Sequence, residues 1–282
     1  MATFHMRYPG GVAKAVTFSY DDGVEQDIRL VEIFDKYGLK GTFNINTASF
    51  AEEGHVYPKG QVHRRMTKKQ TYELFANSPH EVAVHTLTHP FLEQLPTNMV
   101  LEEVLGDRKN IEEMFGTITR GMAYPFGTTS NAVADALRMC GIVYSRTTKA
   151  TNSLEIPKDD WLKWPATCHH ASPALDELSD KLINKTPDRA PWLLYVWGHS
   201  YEFEGNDNWH IIENLCEKIS RKPDIWYATN IEIFDYITAY NSLVFSTNGD
   251  KVYNPTATEV FFYDSKTHKT HSVKPGEFKI LN

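Results

Sequence analysis

From about residue 14 to about residue 240, two kinds of segment alternate: short apolar or β-branched runs, and longer stretches whose apolar residues recur at helical spacing. A chain patterned this way returns each strand to the sheet through a helix, which makes the sheet parallel. The runs are AKAVTFSY (13–20), GTFNI (41–45), EVAVH (81–85), RGMAY (120–124), IVYSR (142–146), WLLYVW (192–197) and IWYAT (225–229). After the first, Leu30, Ile33, Phe34 and Tyr37 share a helix face, and Gly38 can close the helix. Thr67 with Gln70 predicts a capping box, and Ser172 before Pro173 predicts an N-cap with a first-turn proline. About seven such units predict an α/β fold, a distorted (β/α) barrel of about seven parallel strands, with an open doubly wound sheet as the alternative.

Beyond Tyr240 the pattern changes to short runs (LVFS, KVY, EVFFY, EFKIL) separated by turn residues such as Asn248-Gly249 and Pro275-Gly276. The expected organisation is a barrel domain over 1–240 and a small all-β appendage over 241–282. A formal net charge of -7, with acidic residues scattered along the chain, leaves no basic stripe and argues against nucleic acid as a partner. No apolar run approaches the roughly 20 residues that span a bilayer, and the start, MATFHMRYPGG, lacks the apolar core of a secretion signal. The expectation is a soluble, cytoplasmic chain with no membrane partner. Cys140, Cys168 and Cys216 are odd in number and far apart, which suggests neither a disulfide framework nor a CxxC knuckle. Any metal would then be held by nitrogen and oxygen.

In barrels of this kind the chemistry sits just past the C-terminal ends of the strands. Three junctions are loaded there: SYDDG after the first strand, HTLTH after the third, and GHS after the sixth. His85 and His89 lie four apart, the spacing that puts two imidazoles on one side of a helical turn; a surface or core role for the pair stands beside that reading. Asp21 and Asp22 would repel and lose solvation at a strand end unless a cation or proton compensates. Bringing both to one site requires the chain to turn, which Gly23 permits; a plain Asp-Asp-Gly turn with Asp22 capping the next helix is the alternative. Two imidazoles and one carboxylate (Asp22, His85, His89) make a three-ligand site with positions open for water and substrate. Asp21 is then the natural base, and His199 is placed to protonate a leaving group, unless it is a structural histidine.

At these residues the chain resembles the polysaccharide deacetylase family, carbohydrate esterase family four, over roughly residues 12–240. TFSYDDG looks like the first family motif, whose first Asp is the general base and second a metal ligand, and HTLTH resembles the second, the two metal histidines. AYPFG (123–127) is similar to the third, which assigns Tyr124 and Phe126 to the oxyanion and substrate, with the Phe126 N–H as oxyanion donor. Where family members often carry an arginine that orients the base, this chain has Ala123; Arg146 on the next strand could reach the same place, or be structural. The fourth motif, an aspartate that orients the catalytic histidine plus an aromatic wall, has loose candidates in Asp159, Asp160, Trp161 and Trp164. Trp197 replaces the fifth-motif leucine beside the acetyl pocket, and Glu202, just after His199, is a candidate to orient that histidine or bind substrate.

The resemblance implies one divalent metal, Zn2+ as first choice, and removal of acetyl groups from an N-acetylated amino sugar in an oligo- or polysaccharide. Trp161, Trp164, Tyr201 and Trp209 are candidates to stack on sugar rings, with core packing as the competing role for each. Two rival functions stay open: an amidohydrolase acting on a small amide, and a non-catalytic carbohydrate-binding protein on the same fold.

Overall fold

A computed structural model describes residues 4–157 and 160–281. Its centre is strand β2 (Lys14–Asp21), all eight residues of which are buried, following β1 (Phe4–Arg7). The barrel continues through α1 (Gln26–Tyr37), β3 (Thr42–Ile45), α2 (Lys68–Phe75), β4 (Glu81–Val84), α3 (Thr97–Phe115), β5 (Gly121–Ala123), α4 (Asn131–Met139) and β6 (Tyr144–Ala150). Next come β7 (Trp164–Ala166), β8 (Cys168–His169), α5 (Leu175–Asn184), β9 (Trp192–Gly198), α6 (Tyr201–Gly205), α7 (His210–Ile219), β10 (Ile225–Tyr227) and α8 (Asn230–Asn241). Gly38 closes α1 in the left-handed conformation, and Thr67 with Gln70 forms the expected box at the start of α2. Ser172 stands further out than expected: α5 begins at Leu175, and the Ser172 hydroxyl accepts from the Ala174 N–H instead.

The main sheet is parallel, in the order β7-β6-β5-β4-β3-β2-β9-β8, with β10 added to β2. One edge of β2 pairs with β9 along Lys14–Tyr20; the other is shared by β10 at Lys14–Val16 and β3 at Ser19–Asp21. The two ends of this path, β7 and β8, are consecutive in the chain with only Thr167 between them. Thr167 donates its N–H to the Tyr195 carbonyl (2.8 Å) while its own carbonyl accepts from the Asn152 N–H (2.9 Å). The broken strand 164–169 therefore touches β6 on one side and β9 on the other, and closes the barrel. The expected α/β barrel is borne out, with this closing strand added.

Alternation along β2 sorts the molecule into layers. Val16, Phe18 and Tyr20 join a core with the apolar faces of α1, α5 and α7. Thr17, Ser19 and Asp21 face the other way into a polar interior: Thr17 donates to Asn230 (2.8 Å), and the Asn44 amide donates to Ser19 and Asp21 (both 2.8 Å). Toward one end of the barrel, Glu81 on β4 accepts from Thr42, Tyr144 and the Ile231 N–H.

The tail folds as β11 (Val244–Phe245), β12 (Lys251–Tyr253), β13 (Val260–Asp264), β14 (Lys269–Val273) and β15 (Phe278–Ile280). These form two antiparallel sheets, β11-β12-β15 and β1-β13-β14, so the N-terminal strand Phe4–Arg7 is part of the second. Phe4 packs with Phe262 and Phe245 there, against Ala239 and Leu243 at the end of the last barrel helix. Among the described residues, no helix is long and apolar enough to cross a membrane.

Candidate metal centre and active site

The first carboxylate reaches the site by strand alternation and the second by a turn. Asp21 is the last residue of β2; Asp22 follows with φ 87° and Gly23 with φ 63°. Four of the eight described non-glycine residues with positive φ (Asp22, Thr86, His89 and Phe126) lie in the three loops that form the site. Each costs of order 1 kcal/mol or more, so backbone strain is concentrated where side chains must converge. The turn at Asp22 is held by its N–H donating to the Asn44 carbonyl (2.9 Å).

Asp21 is buried between donors. The Asn44 amide reaches Oδ1 at 2.8 Å, and the Arg146 guanidinium donates to Oδ2. Arg146 itself is fully buried, donates Nε–H to Ser19 (3.2 Å) and lies 4.4 Å over the Trp197 ring. Burial alone would raise the Asp21 pKa, but Arg146, helped by His85 and His199, holds it below the ordinary carboxylate value. Its Oδ2 is 4.0 Å from His85 Nε2 and 3.9 Å from His199 Nε2. Arg146 is thus the guanidinium that meets Asp21, in a chain that has Ala123 on the preceding strand.

His85 and His89 converge on Asp22, with Nε2 to Oδ1 distances of 3.9 and 3.8 Å. The ligand atoms of the three all lie within 4.8 Å of one another. The expected helical turn is absent: residues 85–89 form a bend with Thr86 and His89 in the left-handed region, and the Thr86 hydroxyl accepts from the His89 N–H (3.0 Å). The strained loop, not an α-helical repeat, brings the rings to 4.8 Å between centroids. His85 Nδ1 is 2.8 Å from the Ala123 carbonyl, an acceptor only, so Nδ1 carries the proton and Nε2 presents its lone pair. That Nε2 is buried with no hydrogen-bond partner. Burial pushes the His85 pKa down to about 4 and lowers that of His89, which favours the neutral form of both near pH 7. Asp107 fixes the strand end by accepting the His85 N–H (3.0 Å) and the Thr47 N–H (2.8 Å).

Asp22 has two partners absent from the sequence reading. Arg65 donates to its Oδ1 (3.1 Å) and to its carbonyl, and His63 Nε2 is 3.3 Å from Oδ2. With His85, they hold the Asp22 pKa far below the usual carboxylate range despite burial. Both come from the segment between β3 and α2, whose unusual length was the available signal, since long structured loops in compact domains tend to be functional.

A cavity of about 240 Å3 opens over these groups, lined by Asp21, Asp22, His85, His89, Phe126, Trp197, His199 and Tyr201 among others. Phe126 has φ 58°, and its turn is closed by the Gly127 N–H donating to the Tyr124 carbonyl (3.0 Å). The Phe126 ring is half exposed and stacked on Phe91 at 3.8 Å. Tyr124 also lines the cavity, but its hydroxyl donates to the Leu162 carbonyl (2.6 Å). Of the aromatic candidates, only Tyr201 reaches the cavity; Trp164 and Trp209 are buried in the core, and Trp161 packs on Trp164 and Phe234.

Asp160 does not approach His199: it accepts the Leu162 N–H (3.0 Å) and pairs with Arg138. Asp159 lies outside the described residues. The carboxylate beside His199 is Glu202, whose Oε1 is 3.1 Å from His199 Nδ1, one turn along α6. Burial would lower the His199 pKa, but Glu202 and Asp21 together raise it above the ordinary value.

The fold and site together define an α/β barrel with a metal-type cluster beside a paired carboxylate and imidazole at its strand ends. Residues 9–145 match the family model described as polysaccharide deacetylase. The match spans just under half of the chain and takes in the Asp21-Asp22 and His85–His89 segments. Among solved structures it is similar to a provisionally assigned polysaccharide deacetylase from Mycobacterium smegmatis, at 17% identity and a TM-score of 0.59, over 86% of this chain and 96% of that one. It is also similar to a family 4 carbohydrate esterase from Streptomyces lividans in complex with acetate, at 13% identity and a TM-score of 0.51, over 77% and 93%. Both likenesses are of fold. The match to the Streptococcus pyogenes deacetylase PplD in complex with acetate has 22% identity and a TM-score of 0.41, over 47% of this chain and 55% of that one. A search of curated protein sequences finds no match.

Proposed function

We propose that this chain is a metal-dependent hydrolase that removes acetyl groups from an N-acetylated amino sugar within an oligo- or polysaccharide. The observation that carries the reading is the convergence, in one cavity, of Asp22, His85 and His89 with the Asp21 carboxylate set between two imidazoles.

The residues fit a divalent cation. A buried imidazole nitrogen with its lone pair free, a second neutral imidazole and an ionised carboxylate are a suitable donor set for zinc. When bound, the cation supplies Lewis acidity, lowering the pKa of a water toward neutrality and polarising the acetyl carbonyl.

The chain's own groups divide the remaining work. Asp21, kept ionised by Arg146, accepts the proton of the attacking water at Oδ2, the oxygen nearest the imidazoles. The Phe126 N–H, set by its left-handed turn, is the assigned donor to the developing oxyanion; such a donor is worth about 3 kcal/mol of barrier. Trp197, stacked on Arg146, walls the acetyl end of the cavity in place of the family leucine. His199 gives a proton from Nε2 to the departing amine, while Glu202 receives its Nδ1–H and fixes the ring's tautomer. The raised pKa of His199 keeps it in the acid form to higher pH than an ordinary histidine.

The test is acetate release from a panel of N-acetylglucosamine oligomers, peptidoglycan fragments and O-acetylated xylan, with and without chelator. Chelator-sensitive release from an N-acetylated glycan, abolished in Asp21→Asn with metal content retained, supports the reading. Glycan binding without release from the wild type supports the non-catalytic alternative, and turnover of small amides alone supports the amidohydrolase.

A further inference from the structure

Behind Glu202 lies a pair of histidines that the proposed mechanism does not use. His169 ends β8, and His170 follows it, buried between Tyr20 (rings 5.8 Å apart) and Phe203 (4.1 Å). Their Nε2 atoms lie 3.0 and 3.1 Å from Glu202 Oε2, while Oε1 faces His199 Nδ1. The approaches to Oε2 are off-axis, so they act as close electrostatic contacts more than as linear hydrogen bonds.

Three imidazoles around one carboxylate allow two readings, a second metal site or an ordered proton network, and the tautomers decide between them. His169 Nδ1 accepts the Ala171 N–H at 3.2 Å, so its proton sits on Nε2, toward Glu202. His170 Nδ1 has no partner and is pressed against Gly198, where an added Cβ would lie 2.0 Å from it. A proton there would be a buried donor with no acceptor, so the His170 proton also belongs on Nε2. A cation at this cluster would need both Nε2 lone pairs and would force both protons onto nitrogens that cannot place them. Burial keeps His170 neutral, and the three surrounding imidazoles hold Glu202 far below the usual carboxylate range although burial opposes this.

We infer that His169 and His170 are positioning residues that clamp Glu202 from behind, so that its second oxygen holds His199 by Nδ1 with Nε2 aimed at the leaving group. The inference rests on the general-acid reading of His199. Gly198 is then required in WGHS because no side chain fits beside the His170 ring.

Expelling an amine needs a proton, whereas 4-nitrophenolate departs without one. The experiment therefore compares, in the zinc-loaded full chain, hydrolysis of an N-acetylglucosamine oligomer with that of 4-nitrophenyl acetate. His169→Phe and His170→Phe keep the ring and lose the N–H; His169→Gln retains a donor near the Nε2 position. The Phe variants are expected to lose about ten- to a hundredfold in kcat on the amide. Their ester rate should stay within about threefold, with KM little changed and His169→Gln recovering most of the amide rate. Because His169 is partly exposed, its variants test the clamp even should His170→Phe fail to fold. Parallel losses on both substrates, an undiminished amide rate, or a second zinc per chain that disappears with the pair would each overturn the inference. His199→Gln is the reference: if it shows no amide-selective loss, the general-acid reading itself has failed and the clamp falls with it.

Discussion

Asp21 and Asp22 are neighbours in sequence with different surroundings, and the surroundings set their roles. Asp21 points into the barrel interior and meets Arg146 and Asn44; Asp22, turned by its own positive φ, meets the two imidazoles of HTLTH. The pairing with Arg146 makes a specific prediction. Arg146→Ala leaves a buried carboxylate without its counterion, which costs about 3–5 kcal/mol of stability. It also lets burial raise the Asp21 pKa, so the acidic limb of the kcat profile should move to higher pH and kcat at pH 7 should fall. An Arg146→Ala enzyme with unchanged profile and turnover would remove Arg146 from the site. At this scale the sequence was informative where chemistry is local: a double aspartate, a His-x-x-x-His and a histidine after an apolar strand stand out on their own. It was silent on Arg65, His63, Asn44 and the His169–His170 pair, because their partners are far away in the chain and no spacing rule connects them.

Among the elements, seven barrel strands were legible from their apolar runs, since a parallel strand buried on both faces reads as a continuous hydrophobic stretch. The closing strand was not. It is split at Thr167, contains Pro165 and carries the polar CHH, so no run of sufficient length marks it. The N-terminal strand was hidden for another reason: Phe4–Arg7 pairs with β13, more than two hundred residues later. Glu81, at the start of β4, shows how elements are tied at the end of the barrel. Burial pushes its pKa up to about 7, although Tyr144, the Ile231 N–H and Thr42 all favour the charged form. A raised carboxyl pKa stabilises the fold fully below the unfolded value of about 4.3, and that contribution is lost as pH rises through about 7. Thermal unfolding of Glu81→Gln should therefore vary less than wild type across that window, whatever its absolute Tm. Parallel Tm curves for the two proteins would show that Glu81 does not titrate there.

The whole molecule combines a closed parallel barrel, one loaded rim and an appendage of two sheets, β1-β13-β14 and β11-β12-β15. The rim holds everything the proposed reaction needs: the base, the acid, the ligand set and a cavity of about 240 Å3 over them. A single divalent ion, held by Asp22, His85 and His89, is proposed to be required for acetate release. The direct measurement is a zinc titration of chelated protein, read as acetate released from an N-acetylglucosamine oligomer. Activity should rise linearly and break at about one zinc per chain. His89→Ala should show no such rise at the same zinc concentrations. Full acetate release from the metal-free wild type, or an unchanged titration in His89→Ala, would contradict the account.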